Sequence, residues 1–149
     1  MGDKGVKRVT ITYNTTISAC EKGGQWQRAL ELFEEMGRKG VERGTITYSA
    51  TISACEKGGQ WQRALELFEE MGRKGVERGT ITYSATISAC EKGGQWQRAL
   101  ELFEEMSCKG VERDTITYSA TISACEKGGQ WQRALELFEV SSATPSRTA

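Results

Sequence analysis

The sequence has no histidine, a single proline at Pro145, and no apolar run longer than a few residues. Without histidine, and with no CxxC pair among its five cysteines, the chain cannot assemble the common zinc ligand sets. No metal or other cofactor is expected. Four of the cysteines, Cys20, Cys55, Cys90 and Cys125, recur at one position of a repeating pattern. Stacked helices about 8 to 10 Å apart would hold such copies beyond the reach of most disulfides, so reduced, packed thiols are expected. The short apolar runs provide no membrane span. Charge of one sign is also missing, because 20 basic and 20 acidic residues cancel. There is then no global field to draw in nucleic acid or an anionic membrane, and any such binding must come from a local face. The opening MGDKGVKRVT has neither the apolar core of a secretory signal nor the Arg/Ser-rich amphipathic stretch of a transit peptide. At Val6 it lacks the Ser or Thr that N-myristoylation favours. Either targeting has been removed or the chain is part of a longer one.

What the sequence does have is one unit, four times over. The stretch 45–79, TITYSATISACEKGGQWQRALELFEEMGRKGVERG, returns over 80–114 with Gly72, Arg73 and Gly79 replaced by Ser107, Cys108 and Asp114. An earlier copy over 10–44 differs at Asn14 and Thr15, and a partial fourth occupies 115–140. Tyr13, Tyr48, Tyr83 and Tyr118 are spaced by 35 residues, as are Trp26, Trp61, Trp96 and Trp131. A fixed period of this length is the signature of a solenoid. The expected organisation is a leader over 1–9, repeats at 10–44, 45–79 and 80–114, the partial repeat, and a tail over 141–149.

Within the unit, 47–57 predicts a first helix with Tyr48, Ile52 and Cys55 on one face. Ala50 and Ala54 form a second, narrower face, and Thr45 or Thr47 serves as the cap. Gly58 and Gly59 end the helix by supplying a left-handed cap. A second helix over 60–71 shows an apolar arc of Trp61, Ala64, Leu65, Phe68 and Met71 with Leu67 at its margin. Arg63, Glu66, Glu69 and Glu70 lie opposite as a solvated face, with Arg63 set to pair with Glu66 and Glu70. Two such helices cannot bury their apolar surface alone. The predicted fold is therefore an all-α solenoid of antiparallel helix-turn-helix repeats, first helices on one surface and second helices on the other. No helical pattern is visible before Thr10 or after Glu139, so Trp131, Leu135 and Phe138 are expected to stay partly uncovered.

The words TYSATISACEKGG, ALELFEEM and KGVERG at this period resemble the pentatricopeptide repeat family, and the likeness runs from Thr10 to Glu139. Tetratricopeptide repeats have 34 residues and usually a proline near the end of the unit; the period and the proline-free units here favour the former. The chain departs from the family where proline often precedes the last residue of the repeat. It has Arg43, Arg78 and Arg113 there, which predicts a looser loop.

The resemblance implies binding of single-stranded RNA in a plastid or mitochondrion, one nucleotide per repeat, along the surface of the first helices. Base edges would be read by the residue after the tyrosine with the last residue of the repeat: Asn14 with Gly44, Ser49 with Gly79, and Ser84 with Asp114, while Ser119 lacks a partner. The same resemblance casts Ile11, Ile46, Ile81 and Ile116 as base clamps and Lys22, Lys57, Lys92 and Lys127 as phosphate contacts. Hydroxyls and carboxamides can bond a Watson–Crick edge, and an unstacked base needs an apolar partner. A glycine at the closing position reads nothing. The implied preference is a pyrimidine, then a purine, then guanine.

Each of these residues also has a plainer role. Polar residues in a first turn serve capping, lysine before the glycine pair suits a helix C-terminus, and Ile46 can be packing. The tryptophans are expected in the core, and Cys108 exposed in a loop. No acid–base pair in a cleft and no activated nucleophile is visible, so a non-enzyme is expected. The rival to RNA binding is a structural subunit that buries its ends and faces against protein partners in a larger organellar assembly. No DNA partner is expected.

Overall fold

The computed structural model describes residues 3–143, with side chains from 8 to 140. These residues form eight α-helices and no strand: α1 (Asp3–Lys22), α2 (Trp26–Arg38), α3 (Thr45–Lys57), α4 (Trp61–Arg73), α5 (Thr80–Lys92), α6 (Trp96–Cys108), α7 (Thr115–Lys127) and α8 (Trp131–Ala143). The helices group into two compact units, Met1–Arg78 with α1 to α4 and Gly79–Ala149 with α5 to α8. In the first unit α3 packs on α1, α2 and α4; in the second, α7 packs on α5, α6 and α8. No helix among the described residues is long and apolar enough to cross a membrane.

The first helices begin two residues earlier than their apolar pattern predicts. Gly44 takes the extended conformation of an N-cap and has no side chain to offer, so the cap is completed from inside the helix. Thr47 Oγ1 accepts from the Gly44 N–H at 3.3 Å, the part usually played by a glutamate in a capping box. At the other end Gly59 is left-handed at φ 71°, and the Gln60 N–H reaches back to the Cys55 carbonyl at 2.8 Å. This is the six-to-one bond of a Schellman ending.

Tyr48, Ile52, Ala54 and Cys55 are buried, as the periodicity requires, and so are Thr47 and Thr51 on the other side of α3. The Thr51 hydroxyl is satisfied by the Thr47 carbonyl at 2.7 Å, which removes the penalty for burying it. In α4 the arc is rotated from the predicted one. Leu67 is fully buried beside Ala64, Phe68 and Met71, whereas Leu65 is half-exposed.

The tryptophans are not core residues. Trp26, Trp61 and Trp96 are half-buried at the start of each second helix, and Trp131 is exposed. The Trp26 indole lies over Gly58, so near that a Cβ on that glycine would sit 2.2 Å from Cδ1; Trp96 lies over Gly128 in the same way. At Gly58 and Gly128 the first glycine of the pair seats a tryptophan, and the second glycine makes the turn.

The predicted solvated face of the second helices is also divided. Arg63 pairs with Glu66 at 2.9 Å and with Glu34 of the preceding repeat at 2.8 Å. Glu70 instead turns inward, accepting from the Tyr48 hydroxyl at 2.6 Å. Glu35 does the same for Tyr13 at 2.5 Å, and Glu105 for Tyr83 at 2.6 Å.

The loops are not loosened by arginine in place of proline. The Arg43 guanidinium lies 4.4 Å over the Phe33 ring and donates to the Phe33 carbonyl at 3.3 Å. Arg78 on Phe68 and Arg113 on Phe103 repeat the contact, a cation held against an aromatic face.

The leader joins the fold. Residues 5–13, GVKRVTITY, repeat 40–48, GVERGTITY, except that Lys7 replaces Glu42 and Val9 replaces the closing Gly44. With valine where the repeats place a glycine or aspartate cap, the helix is not interrupted and α1 starts at Asp3. At the other end α8 runs on through Val140 to Ala143, past the point where the repeat pattern stops. Pro145 lies outside the described residues.

Candidate functional site

Two residues before the tyrosine of each first helix, and second in α3, α5 and α7, stands an isoleucine with no place in the core. Ile46 is 65% exposed and Ile81 71% exposed, and Ile11 and Ile116 match them. Leaving one large aliphatic side chain in water at the same position of every repeat serves no packing purpose. Three residues later, on the same face of the helix, stand Asn14, Ser49, Ser84 and Ser119.

Two of these polar residues meet the closing residue of their own repeat through the first helix of the next. In the first unit the Thr47 hydroxyl donates to Asn14 Oδ1 at 2.5 Å while accepting from the Gly44 N–H. The Asn14 carbonyl is thereby occupied, and its amide hydrogens are the group left to offer. In the second unit Asp114 caps α7, its Oδ1 accepting from Thr117 N at 2.9 Å and from Thr117 Oγ1 at 2.7 Å. Since the Thr117 proton goes to Asp114, the Ser84 hydroxyl, 2.9 Å from Thr117 Oγ1, must donate its own. Ser84 and Asp114 therefore both present oxygen lone pairs. Ser84 is buried, whereas Asp114 is exposed.

Ser49 is half-buried on α3 and Gly79 is the extended N-cap of α5. Ser119 is exposed. The threonine that links the pairs, at Thr47 and Thr117, was expected in the sequence only as a helix cap, not as part of the site. Its signal was the second threonine of Thr-Ile-Thr-Tyr, a polar residue at a position that turns out to be fully buried.

The lysines stand elsewhere. Lys57 is 11 residues beyond Ile46, about 16 Å along the helix axis. It pairs with Glu21 of the preceding repeat, and Lys127 pairs with Glu91 in the same way. Lys22 and Lys92 are exposed at the equivalent positions. In α3, α5 and α7 the isoleucine and the polar residue share the N-terminal end, and the lysine occupies the other.

Titration behaviour adds no reactive group to this surface. Burial pushes the Cys55 and Cys90 thiols up to about 11, and Cys125 upward as well. Burial and the bond to Glu70 push Tyr48 up to about 12. Burial raises the Glu70 carboxyl, but the bond from Tyr48 and the charges of Lys74 and Arg43 outweigh it and hold the group low.

Comparison with known proteins gives the family. The PPR repeat family matches residues 8–57, 43–92 and 78–127, and the PPR repeat matches 116–140. There is no match among curated proteins. Among solved structures, the chain is similar to the pentatricopeptide repeat protein PPR10 from maize, at 32% identity and a TM-score of 0.76 over 88% of this chain and 19% of that one. It is similar to PPR10 in complex with an 18-nt psaJ RNA element at 32% identity and a TM-score of 0.78, covering 89% of this chain and 20% of that one. The PPR domain of Arabidopsis thaliana protein-only RNase P 1, in complex with tRNA, shares the fold at 20% identity and a TM-score of 0.77, over 86% of this chain and 69% of that one. The chain thus spans about a fifth of the length of PPR10. Matched in every one of its repeats and built on the same helical hairpins, the chain belongs to the pentatricopeptide repeat family.

Proposed function

We propose that the chain binds single-stranded RNA, one nucleotide per repeat, without catalysing a reaction. The observation that carries this reading is the exposed isoleucine that recurs in all four first helices, one helical turn from a polar residue that in two repeats, at Asn14 and Ser84, is tied to the closing position. An apolar side chain that can lie against a base, beside a fixed hydrogen-bonding group, is what recognition of an unstacked nucleotide needs. Maize PPR10 is similar to this chain and PPR10 has been seen with an RNA element, which supports the same ligand class here. An organellar setting, plastid or mitochondrion, follows from the family likeness.

The hydrogen-bond directions refine the expected preferences. Asn14, with its carbonyl engaged by Thr47, offers N–H donors to the acceptors of a pyrimidine edge. Ser84, its proton committed to Thr117, and the Asp114 carboxylate offer two acceptors that suit the N1–H and N2–H donors of guanine. Ser49 belongs to the repeat expected to take a purine. Lys57 and Lys127 already hold carboxylates, so their contribution to phosphate binding is small and the salt slope is shallower than the −2.8 of four free contacts at roughly 0.7 each.

Filter binding of homopolymeric and mixed RNAs at two salt concentrations tests the proposal. Binding at low salt that falls on substituting Ile46 and Ile81 by serine supports it. Absence of binding at low salt overturns it. The structural-subunit reading draws on one observation, the pairing of lysines with carboxylates of neighbouring repeats, and would be favoured by that second outcome.

A further inference from the structure

Asn14 and Ser84 each meet the closing residue of their repeat through one threonine hydroxyl, and that hydroxyl has a single proton to give. In the first unit the Thr47 proton goes to Asn14 Oδ1 at 2.5 Å, because Gly44 offers only a backbone N–H, which Thr47 Oγ1 accepts at 3.3 Å. In the second unit the Thr117 proton goes to Asp114 Oδ1 at 2.7 Å, and Ser84 is left to donate into Thr117 Oγ1 at 2.9 Å. A carboxylate is the stronger acceptor, so where one closes the repeat it takes the proton. Thr47 and Thr117 are fully buried, which keeps water out of the exchange.

We propose that this threonine sets the polarity that the reading residue shows to a base, so that the closing residue acts on base choice through the next first helix, beyond any contact of its own. With glycine at the closing position, Thr47 holds the Asn14 carbonyl and leaves its N–H groups to face the base. With a carboxylate there, the threonine becomes an acceptor and the reading residue spends a proton on it, as Ser84 does. A glycine that reads nothing by itself still chooses. Asparagine registers the choice most fully, because its amide can turn to present either N–H or C=O.

This inference rests on the RNA reading of the surface and says what each setting takes. An N–H donor fixed at Asn14 matches the bare N3 of cytosine, whereas a carbonyl fixed there matches the N3–H of uracil. Thr47 and Thr117 are positioning residues, acting on the base only through Asn14 and Ser84.

Gly44→Asp converts the first arrangement into the second. Gly44 already has the extended backbone of Asp114, at φ −105° against −99°, and nothing lies within 4 Å of the place its Cβ would take. Asn14 is the only asparagine in the chain, so isotopic labelling of asparagine alone gives one side-chain amide pair in an NMR spectrum. In Gly44→Asp one of these N–H groups should move downfield and gain protection from solvent exchange as it bonds to Thr47 Oγ1. Adding Thr47→Ser, which keeps the hydroxyl, should preserve the shift, and adding Thr47→Val should abolish it.

Fluorescence anisotropy at low salt with labelled oligo(rC) and oligo(rU) reads the consequence, since a homopolymer presents the same base in every register. Gly44→Asp should raise the affinity for oligo(rU) relative to oligo(rC) about tenfold, the worth of one hydrogen bond exchanged. The change should persist with Thr47→Ser and disappear with Thr47→Val; circular dichroism of each variant confirms that it is folded. An Asn14 amide that does not move in Gly44→Asp overturns the proposal, and that measurement needs no valine variant. So does a shifted amide with an unchanged affinity ratio, or a ratio that changes equally with Thr47→Val, which would mean that the introduced carboxylate reads the base itself. Chains that bind neither RNA overturn the RNA reading and the base preference built on it, an outcome told apart from failure of the threonine relay because the amide resonance still shows whether Asn14 turns.

Discussion

Trp26 occupies the space that any side chain on Gly58 would need: a Cβ there would fall 2.2 Å from the indole Cδ1 and 2.5 Å from Cγ. Neither residue explains its own identity, because Gly58 has a negative φ that other residues adopt and Trp26 is only half-buried. Gly58→Ala should therefore overpack the junction and cost about 1 to 3 kcal/mol. Gly59→Ala should cost about 1 kcal/mol for a different reason, the left-handed backbone at φ 71°. Urea denaturation of Gly58→Ala alone and with Trp26→Ala separates the two mechanisms. Removing the indole should rescue the first substitution and leave the second unchanged.

The run of hydrogen bonds from Ser84 through Thr117 to Asp114 predicts an order of stabilities. Asp114→Ala loses the N-cap of α7 and should cost about 1 kcal/mol, whereas Asp114→Gly should cost a few tenths. Gly44, at the same position, is the natural control: Gly44→Asp should gain a few tenths by capping α3, since its φ of −105° accepts any residue. Thermal melts of the three variants check this. A neutral Asp114→Ala would mean that the carboxylate does not cap α7, and the donor direction assigned to Ser84 would fall with it.

Much of this was legible in the sequence because a period of 35 fixes the elements independently of their individual propensities. The helices, their glycine ends and the buried Tyr48, Ile52 and Cys55 follow from pattern alone. Side-chain roles set by packing between helices did not. Leu67 outranks Leu65 in the core, Glu70 turns in to Tyr48, and Trp26 covers a glycine 32 residues away in sequence. A single helix read in isolation contains no sign of these. The pairing of Asn14 with Gly44 came from family likeness, and the threonine that joins them came from the structure. The leader was misread for a simpler reason: Val9 hides the continuation of the repeat by replacing its capping glycine.

The tyrosine–glutamate bond gives the chain a defined pH window. The Glu70 carboxyl is held below its usual range, so its contribution to stability is present above the ordinary carboxylate value and is lost as pH falls through the lowered one. Tyr48 behaves in the opposite sense. Its folded value is raised from 10.0 to about 12, so its contribution is intact below 10 and is lost as pH rises from 10 to 12. Tyr48→Phe should lower stability at neutral pH by about 1.5 kcal/mol, the worth of a bond to a charged acceptor. It should also flatten both limbs of a plot of melting temperature against pH. Unchanged limbs in that variant would show that other groups set the window.

The thiols provide a separate reading of the packing. Cys55, Cys90 and Cys125 are buried, and burial pushes the first two up to about 11, so at pH 8 almost none of either is thiolate, and pushes the third upward as well, away from thiolate. Cys20 is half-buried and Cys108 exposed. Titration of the folded chain with a chromogenic disulfide at pH 8 should therefore show one fast equivalent, a slower second, and three that react only when the chain opens. Cys108→Ser should remove the fast phase and leave the others. Adding urea below the unfolding midpoint should release Cys125 before Cys55, because Cys125 lies under the last hairpin, where Trp131 and Phe138 are uncovered. Equal rates for the two would mean that the chain opens as one cooperative body, with the uncovered face of α8 giving no local path to unfolding.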